Sequence, residues 1–140
     1  MLVHQFSPKP IRLMDIRSRD ARHILAARIY CFVSGAGHDP LVRMAECLHS
    51  PLTARRFGLL MATVTYMWPD PFEVRRPCCP QAGLDEALLM TAIRLAECNA
   101  RPQFDEMLGD MLSDDARNTL FIHARWLYSA AASTGQGHIR

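Results

Sequence analysis

The residues with the clearest capacity for chemistry are two adjacent thiols held between prolines, in the run Arg75-Arg76-Pro77-Cys78-Cys79-Pro80. Two cations and the start of a following helix form the setting in which thiol nucleophiles are activated. Arg75, Arg76, Cys78 and Cys79 are therefore the candidate thiol site. Neighbouring cysteines can also close a strained vicinal disulfide, but they are poorly placed to give two ligands to one tetrahedral zinc, unlike Cys-x-x-Cys. The favoured reading is plainer: the prolines rigidify a turn, and at least one thiol packs against the body as a small apolar group.

A second chemical feature is the Arg55-Arg56 pair at the start of an apolar helix. With the short connection His49-Ser50-Pro51-Leu52 before it, the pair invites comparison with a helix-turn-helix, whose second helix presents its first residues to base edges. The proline in the turn and the long apolar stripe that follows point instead to a core helix. Two arginines in such a place are ordinarily paired at the surface with acids, here Asp39 or Glu46. Arg55, Arg56 and Trp68 form the candidate interaction or anion-binding set, because large aromatics anchor interfaces. Trp126 is the other large anchor.

Other familiar chemistries are missing. The histidines His4, His23, His38, His49, His123 and His138 form no His-x-x-x-His or His-Glu-x-x-His pair, and a single Glu-x-x-His, Glu46 to His49, falls short of the two that a di-iron carboxylate bundle needs. His123, between Leu120 and Leu127, reads as a partly buried structural imidazole. The acidic pairs Asp85-Glu86, Asp105-Glu106 and Asp114-Asp115 fall in predicted first turns of helices, where the helix dipole would account for them. No phosphate-binding glycine loop, dinucleotide fingerprint or nucleophile elbow occurs. Neither a catalytic residue, a metal site nor a cofactor is expected.

The elements that must position these residues are helices. Ile24, Leu25, Ile29 and Phe32 mark the first, from Ser18 to Phe32, with a stop at Gly35-Ala36-Gly37. Asp39-Pro40 and Ser50-Pro51 each pair a cap with a proline and open helices carrying Leu41, Met44, Ala45, Leu48 and then Phe57, Leu60, Met61, Val64, Trp68. The stretch 69–80 holds four prolines and reads as a shaped loop. Leu84 to Cys98, a restart at Pro102, and a segment capped by Ser113 supply the remaining helices, while no run alternates with period two. The expectation is an all-α, compact bundle of about five to six helices in a single domain over 18–132, with an N-terminal arm, 1–17, and a flexible tail, 133–140.

Around these elements the sequence resembles a family of small alphaproteobacterial proteins of the sphingomonad type. The likeness lies in Arg55-Arg56 before Phe57-Gly-Leu-Leu-Met-Ala, in Pro77-Cys78-Cys79-Pro80, and in Asp85-Glu86-Ala-Leu-Leu, and it covers about Gly37 to Leu95. Pro77 stands where a further Cys is common in that family, which argues against a three-thiol metal site. No activity attaches to the family, so the resemblance implies a bacterial cytoplasmic protein and assigns no catalytic residues.

Composition agrees with one packed domain. The 140 residues are 49% apolar and 21% charged, with a formal net charge of +2, too small to imply a nucleic acid or an anionic membrane as partner. Basic residues number 16, and Lys9 is the only lysine among them, a bias that a GC-rich coding sequence explains without function. Five cysteines, an odd number, fit a reducing cytoplasm, and no apolar run approaches the ~20 residues of a membrane span. The leading expectation is a non-catalytic regulatory or protein-interaction module with an unidentified protein partner and a homodimer as the candidate assembly. The alternatives are a thiol- or redox-responsive protein using Cys78 and Cys79, and a DNA-binding regulator using Arg55 and Arg56.

Overall fold

The computed structural model describes residues 11–133. The first ten residues of the arm, with His4 and Lys9, and the tail 134–140, with His138, lie outside the described residues. The chain runs through β1 (Ile11–Arg12), a single 3-10 turn (Leu13–Asp15), α1 (Ser18–Gly35), α2 (Leu41–Leu48), α3 (Pro51–Met67), β2 (Gln81–Ala82), α4 (Leu84–Glu97), α5 (Arg101–Leu108) and α6 (Asp114–Ser133). Among the described residues it is an all-α bundle, 71% helical, whose only ladder is the antiparallel pairing of Ile11 with Ala82 and Arg12 with Gln81. Two residues a strand are too few for the period-two signal that sequence reading relies on.

Local chemistry sets the helix ends. The Asp39 carboxylate accepts the Leu41 amide at 3.0 Å, Ser50 Oγ accepts the Thr53 amide at 3.1 Å, and Ser113 Oγ accepts the Ala116 amide at 3.2 Å. At the other ends the chain turns through left-handed residues: Gly37 after α1, His49 after α2 and Asn99 after α4.

Helix α3 lies between α2 and α6, α6 also backs α4 and α5, and α1 spans α2 and α4. Phe57, Leu60, Met61 and Val64 of α3 meet Leu89, Ile93, Leu120 and Leu127 in one core, and Phe104 of α5 meets Phe121 edge-on at 5.1 Å. Trp68 is buried here at the end of α3, with Phe72 edge-on at 5.1 Å. A smaller cluster of Ile24, Ala82 and Met90 receives Ile11, Leu13 and Ile16, which docks the described part of the arm on α1 and α4.

The inward face of α1 differs from the apolar stripe expected. Phe32 is 46% exposed, whereas Asp20, His23, Ile24, Ala27 and Arg28 are buried. Their i, i+3, i+4, i+7, i+8 spacing is that of a core stripe, with polar residues at three of its positions.

Candidate functional site

Arg28 organises the loop that carries the adjacent thiols. Both Arg28 and Glu86 are essentially inaccessible to solvent. The Arg28 Nε donates to Glu86 Oε2 at 2.8 Å and Nη2 donates to Oε1 at 3.0 Å, a bidentate pair. The remaining donors reach backbone carbonyls of the loop: Nη1 to Cys79 at 2.8 Å and Pro77 at 3.4 Å, and Nη2 to Gln81 at 2.9 Å. Glu86 in turn accepts the backbone amides of Arg75 at 2.9 Å and Gly83 at 2.8 Å. Every nitrogen of the guanidinium and both carboxylate oxygens are thus engaged, the condition under which a buried ion pair is tolerated. Burial alone would push the Glu86 carboxyl up; hydrogen bonds from Arg28, Gly83 and Arg75 outweigh it and hold the carboxyl below its ordinary value.

The thiols sit on this clamp. The Cys79 amide donates to the Arg76 carbonyl at 2.9 Å, closing a turn with Pro77 and Cys78 at its centre, and the Pro80 carbonyl accepts the Leu13 amide at 2.8 Å. Cys78 is exposed, Cys79 is half-buried, and both are free thiols. Among the described residues no side-chain hydrogen bond ties Arg75 or Arg76 to either sulfur. The Arg75 side chain lies over Gly83, where an added Cβ would meet its Nε at 3.0 Å. The cation that enters the loop is Arg28, and it holds backbone oxygens.

One expectation about arginines needs correction, and one acid does more than expected. Glu86 stands in the first turn of α4, as its dipole favours, and caps it through the Gly83 amide, but it is also the buried partner of Arg28. Arg55 and Arg56 form no ion pair with Asp39 or Glu46 among the described residues. Instead Arg56 Nη1 donates to the Trp126 carbonyl at 3.0 Å, and its guanidinium stacks 4.6 Å from the centre of the Trp126 ring.

Trp68, placed in the interaction set from sequence, is only 7% exposed and fills the core, so it cannot anchor a partner. Trp126, 45% exposed on α6, stands where an anchor is required. With Tyr30, Leu41, Leu52 and Leu59 it lines an open groove of about 550 Å³ whose rim carries Arg55, Arg56 and Asp39. An apolar floor beside two cations can hold an extended or helical segment bearing carboxylates. The part of α3 that a helix-turn-helix would present is here one wall of this groove.

His123 is half-buried beside Trp126, and its Nδ1 lacks a hydrogen-bond partner. Among the described residues no group of three or more His, Cys, Asp or Glu is arranged to hold a metal ion, and no helix is long and apolar enough to cross a membrane. Comparison of the chain with protein-family models, curated proteins and solved structures finds no match.

Proposed function

We propose that the chain is a non-catalytic interaction module of a bacterial cytoplasm, whose partner lays an acidic, amphipathic segment in the groove that α3 forms with the end of α1, the start of α2 and Trp126 of α6. The observation that carries this reading is the unneutralised pair Arg55 and Arg56 beside half-exposed Trp126. Arg12, Arg17, Arg19, Arg28, Arg94, Arg101 and Arg117 each face a carboxylate within the chain, whereas these two face an open apolar groove. Trp and Arg are the residue types that concentrate binding energy at interfaces, and their charge selects the sign of the partner.

The test uses a labelled helical peptide with Leu at i, i+3, i+4 and i+7 and Glu at its exposed positions, alongside a version with Lys for every Glu. The Glu peptide binds, weakens as salt is raised, and loses about tenfold or more in affinity with Arg55→Glu/Arg56→Glu or Trp126→Ala. Equal binding of the Lys peptide, or indifference to these substitutions, overturns the reading. So does a light-scattering mass of about 32 kDa, twice the 15.8 kDa of one chain, that the same substitutions return to one chain, because the groove's occupant would then be a second copy. Salt-sensitive retention of duplex DNA through Arg55 and Arg56 likewise replaces it.

A further inference from the structure

The adjacent thiols on the Arg28 clamp have no part in the groove. Cys78 is exposed, Cys79 beside it is half-buried, both are free, and among the described residues no hydrogen bond ties either sulfur. The backbone that carries them is held on both sides. The Cys79 amide donates to the Arg76 carbonyl at 2.9 Å, the Cys79 carbonyl accepts from Arg28 Nη1 at 2.8 Å, and the Pro80 carbonyl accepts the Leu13 amide at 2.8 Å. An accessible thiol with a second thiol next to it is the arrangement in which oxidation of the first is resolved by the other. Disulfides formed in a reducing compartment are ordinarily transient ones of this sensing kind.

We propose that Cys78 and Cys79 are a dithiol oxidised by peroxide, and that its closure to a vicinal disulfide loosens the hold of Arg28 and Glu86 on the loop. Cys78, as thiolate, attacks one oxygen of the peroxide, the O–O bond breaks, and a sulfenic acid forms while the other oxygen leaves and takes up a proton as water. The Cys79 sulfur then attacks the sulfenic sulfur, the S–O bond breaks, and the departing hydroxide takes the Cys79 proton as a second water. Two thiols are oxidised and one peroxide is reduced. The coupling to the clamp follows from the ring that closes, because it contains the Cys78–Cys79 peptide unit, which is trans. A trans peptide sets its Cα atoms about 3.8 Å apart, short of the about 4.4–6.8 Å that a disulfide ordinarily spans, so closure must twist and turn that unit. Its N–H is the donor to the Arg76 carbonyl, and turning it draws the Cys79 carbonyl away from Arg28. The clamped loop in turn favours the dithiol, since coupling of this kind is reciprocal. A bond so strained is readily reduced again, which makes the change reversible.

The test treats the full-length protein with a small excess of hydrogen peroxide, caps the remaining thiols with iodoacetamide and weighs the peptides. The peptide carrying Cys78 and Cys79 is uncapped and lighter by two hydrogen atoms than its reduced form, and dithiothreitol restores it. In the oxidised protein the Arg75 and Gly83 amides exchange with deuterium about tenfold faster or more, those in the middle of α4 are unchanged, and the urea midpoint falls. Cys79→Ser stops at the Cys78 sulfenic acid, trapped with dimedone, and peroxide leaves its amide exchange and urea midpoint as they were. Caps on both thiols after peroxide, a sulfenic acid that persists at Cys78 in the unsubstituted protein, or a Cys78 disulfide to a second copy overturns the pair. A Cys78–Cys79 disulfide that leaves the Arg75 and Gly83 amides slow, or an equal loss of stability in peroxide-treated Cys79→Ser, overturns the coupling.

Discussion

Arg28→Met would leave the Glu86 carboxylate buried without its counter-charge, and Glu86→Leu would strand the guanidinium. Each substitution is expected to destabilise by about 3–5 kcal/mol, and the double replacement should recover a large part of that loss, since a packed apolar pair avoids the desolvation of both ions. Urea midpoints of the two single variants and the double variant measure it. Acid reports on the same core. Because His23 is lowered to about 4 from 6.5, the unfolded chain takes up a proton in that interval that the folded chain refuses. Stability is therefore full above 6.5 and declines as pH falls toward about 4, by roughly 3 kcal/mol at most. His23→Phe, which preserves a ring against Phe57, should flatten this limb. Glu86 acts lower: its depressed carboxyl supports the fold above the ordinary carboxylate range, and that support is lost as pH drops through the folded value. The thiols divide in the same residue-by-residue way. Burial, helped by Glu86, pushes Cys31 up to about 11, and burial raises Cys47. Exposed Cys78 and Cys98 should alkylate first with iodoacetamide and Cys31 last, resolved by peptide mass spectrometry.

At the scale of elements, the stretch 69–83 contains almost no regular structure yet is tied at five backbone groups, Arg75, Pro77, Cys79, Gln81 and Gly83, to one ion pair. The Arg75 and Gly83 amides should therefore exchange with deuterium as slowly as those in the middle of α4, and should become fast in Arg28→Met. Helix starts are less coupled: Ser50→Ala removes one cap and should cost about 1 kcal/mol. These two cases show what sequence could and could not disclose. Caps, proline starts and apolar spacing are local, so Ser50-Pro51, Ser113 and the α3 stripe are legible in order along the chain. The inward stripe of α1 has the right spacing, but an Asp, a His and an Arg occupy it, and residue type hides what position alone would show. Arg28 meets Glu86 across 58 residues, a distance over which no periodicity speaks. Glu86 has a sufficient local explanation in the helix dipole, and that masks its partner. Trp68 and Trp126 look alike as large anchors, and only the packing of α3 against α6 separates the buried ring from the half-exposed one.

For the molecule as a whole, a net charge of +2 conceals an uneven surface. Arg12, Arg17, Arg19, Arg28, Arg94, Arg101 and Arg117 are neutralised by carboxylates, whereas Arg55 and Arg56 at the groove are among the described arginines that are not. Fluorescence separates the two tryptophans and so reads the groove directly. Trp126, under the Arg56 guanidinium and 45% exposed, should account for most quenching by acrylamide, and Trp126→Phe should leave a blue-shifted, weakly quenched emission from Trp68.

The clamp on the loop also bears on how the molecule assembles over time. Arg28 and Glu86 belong to helices far apart in the chain, and their charges find each other dry only after α1 and α4 have docked. Helices α2 and α3, by contrast, are neighbours and can pair early. The ion pair is therefore expected to form in the last part of the folding reaction, after the barrier has been crossed. Loss of the pair should leave the folding rate nearly unchanged and appear as faster unfolding, so that Arg28 and Glu86 govern how long the native state lasts while having little influence on how quickly it forms.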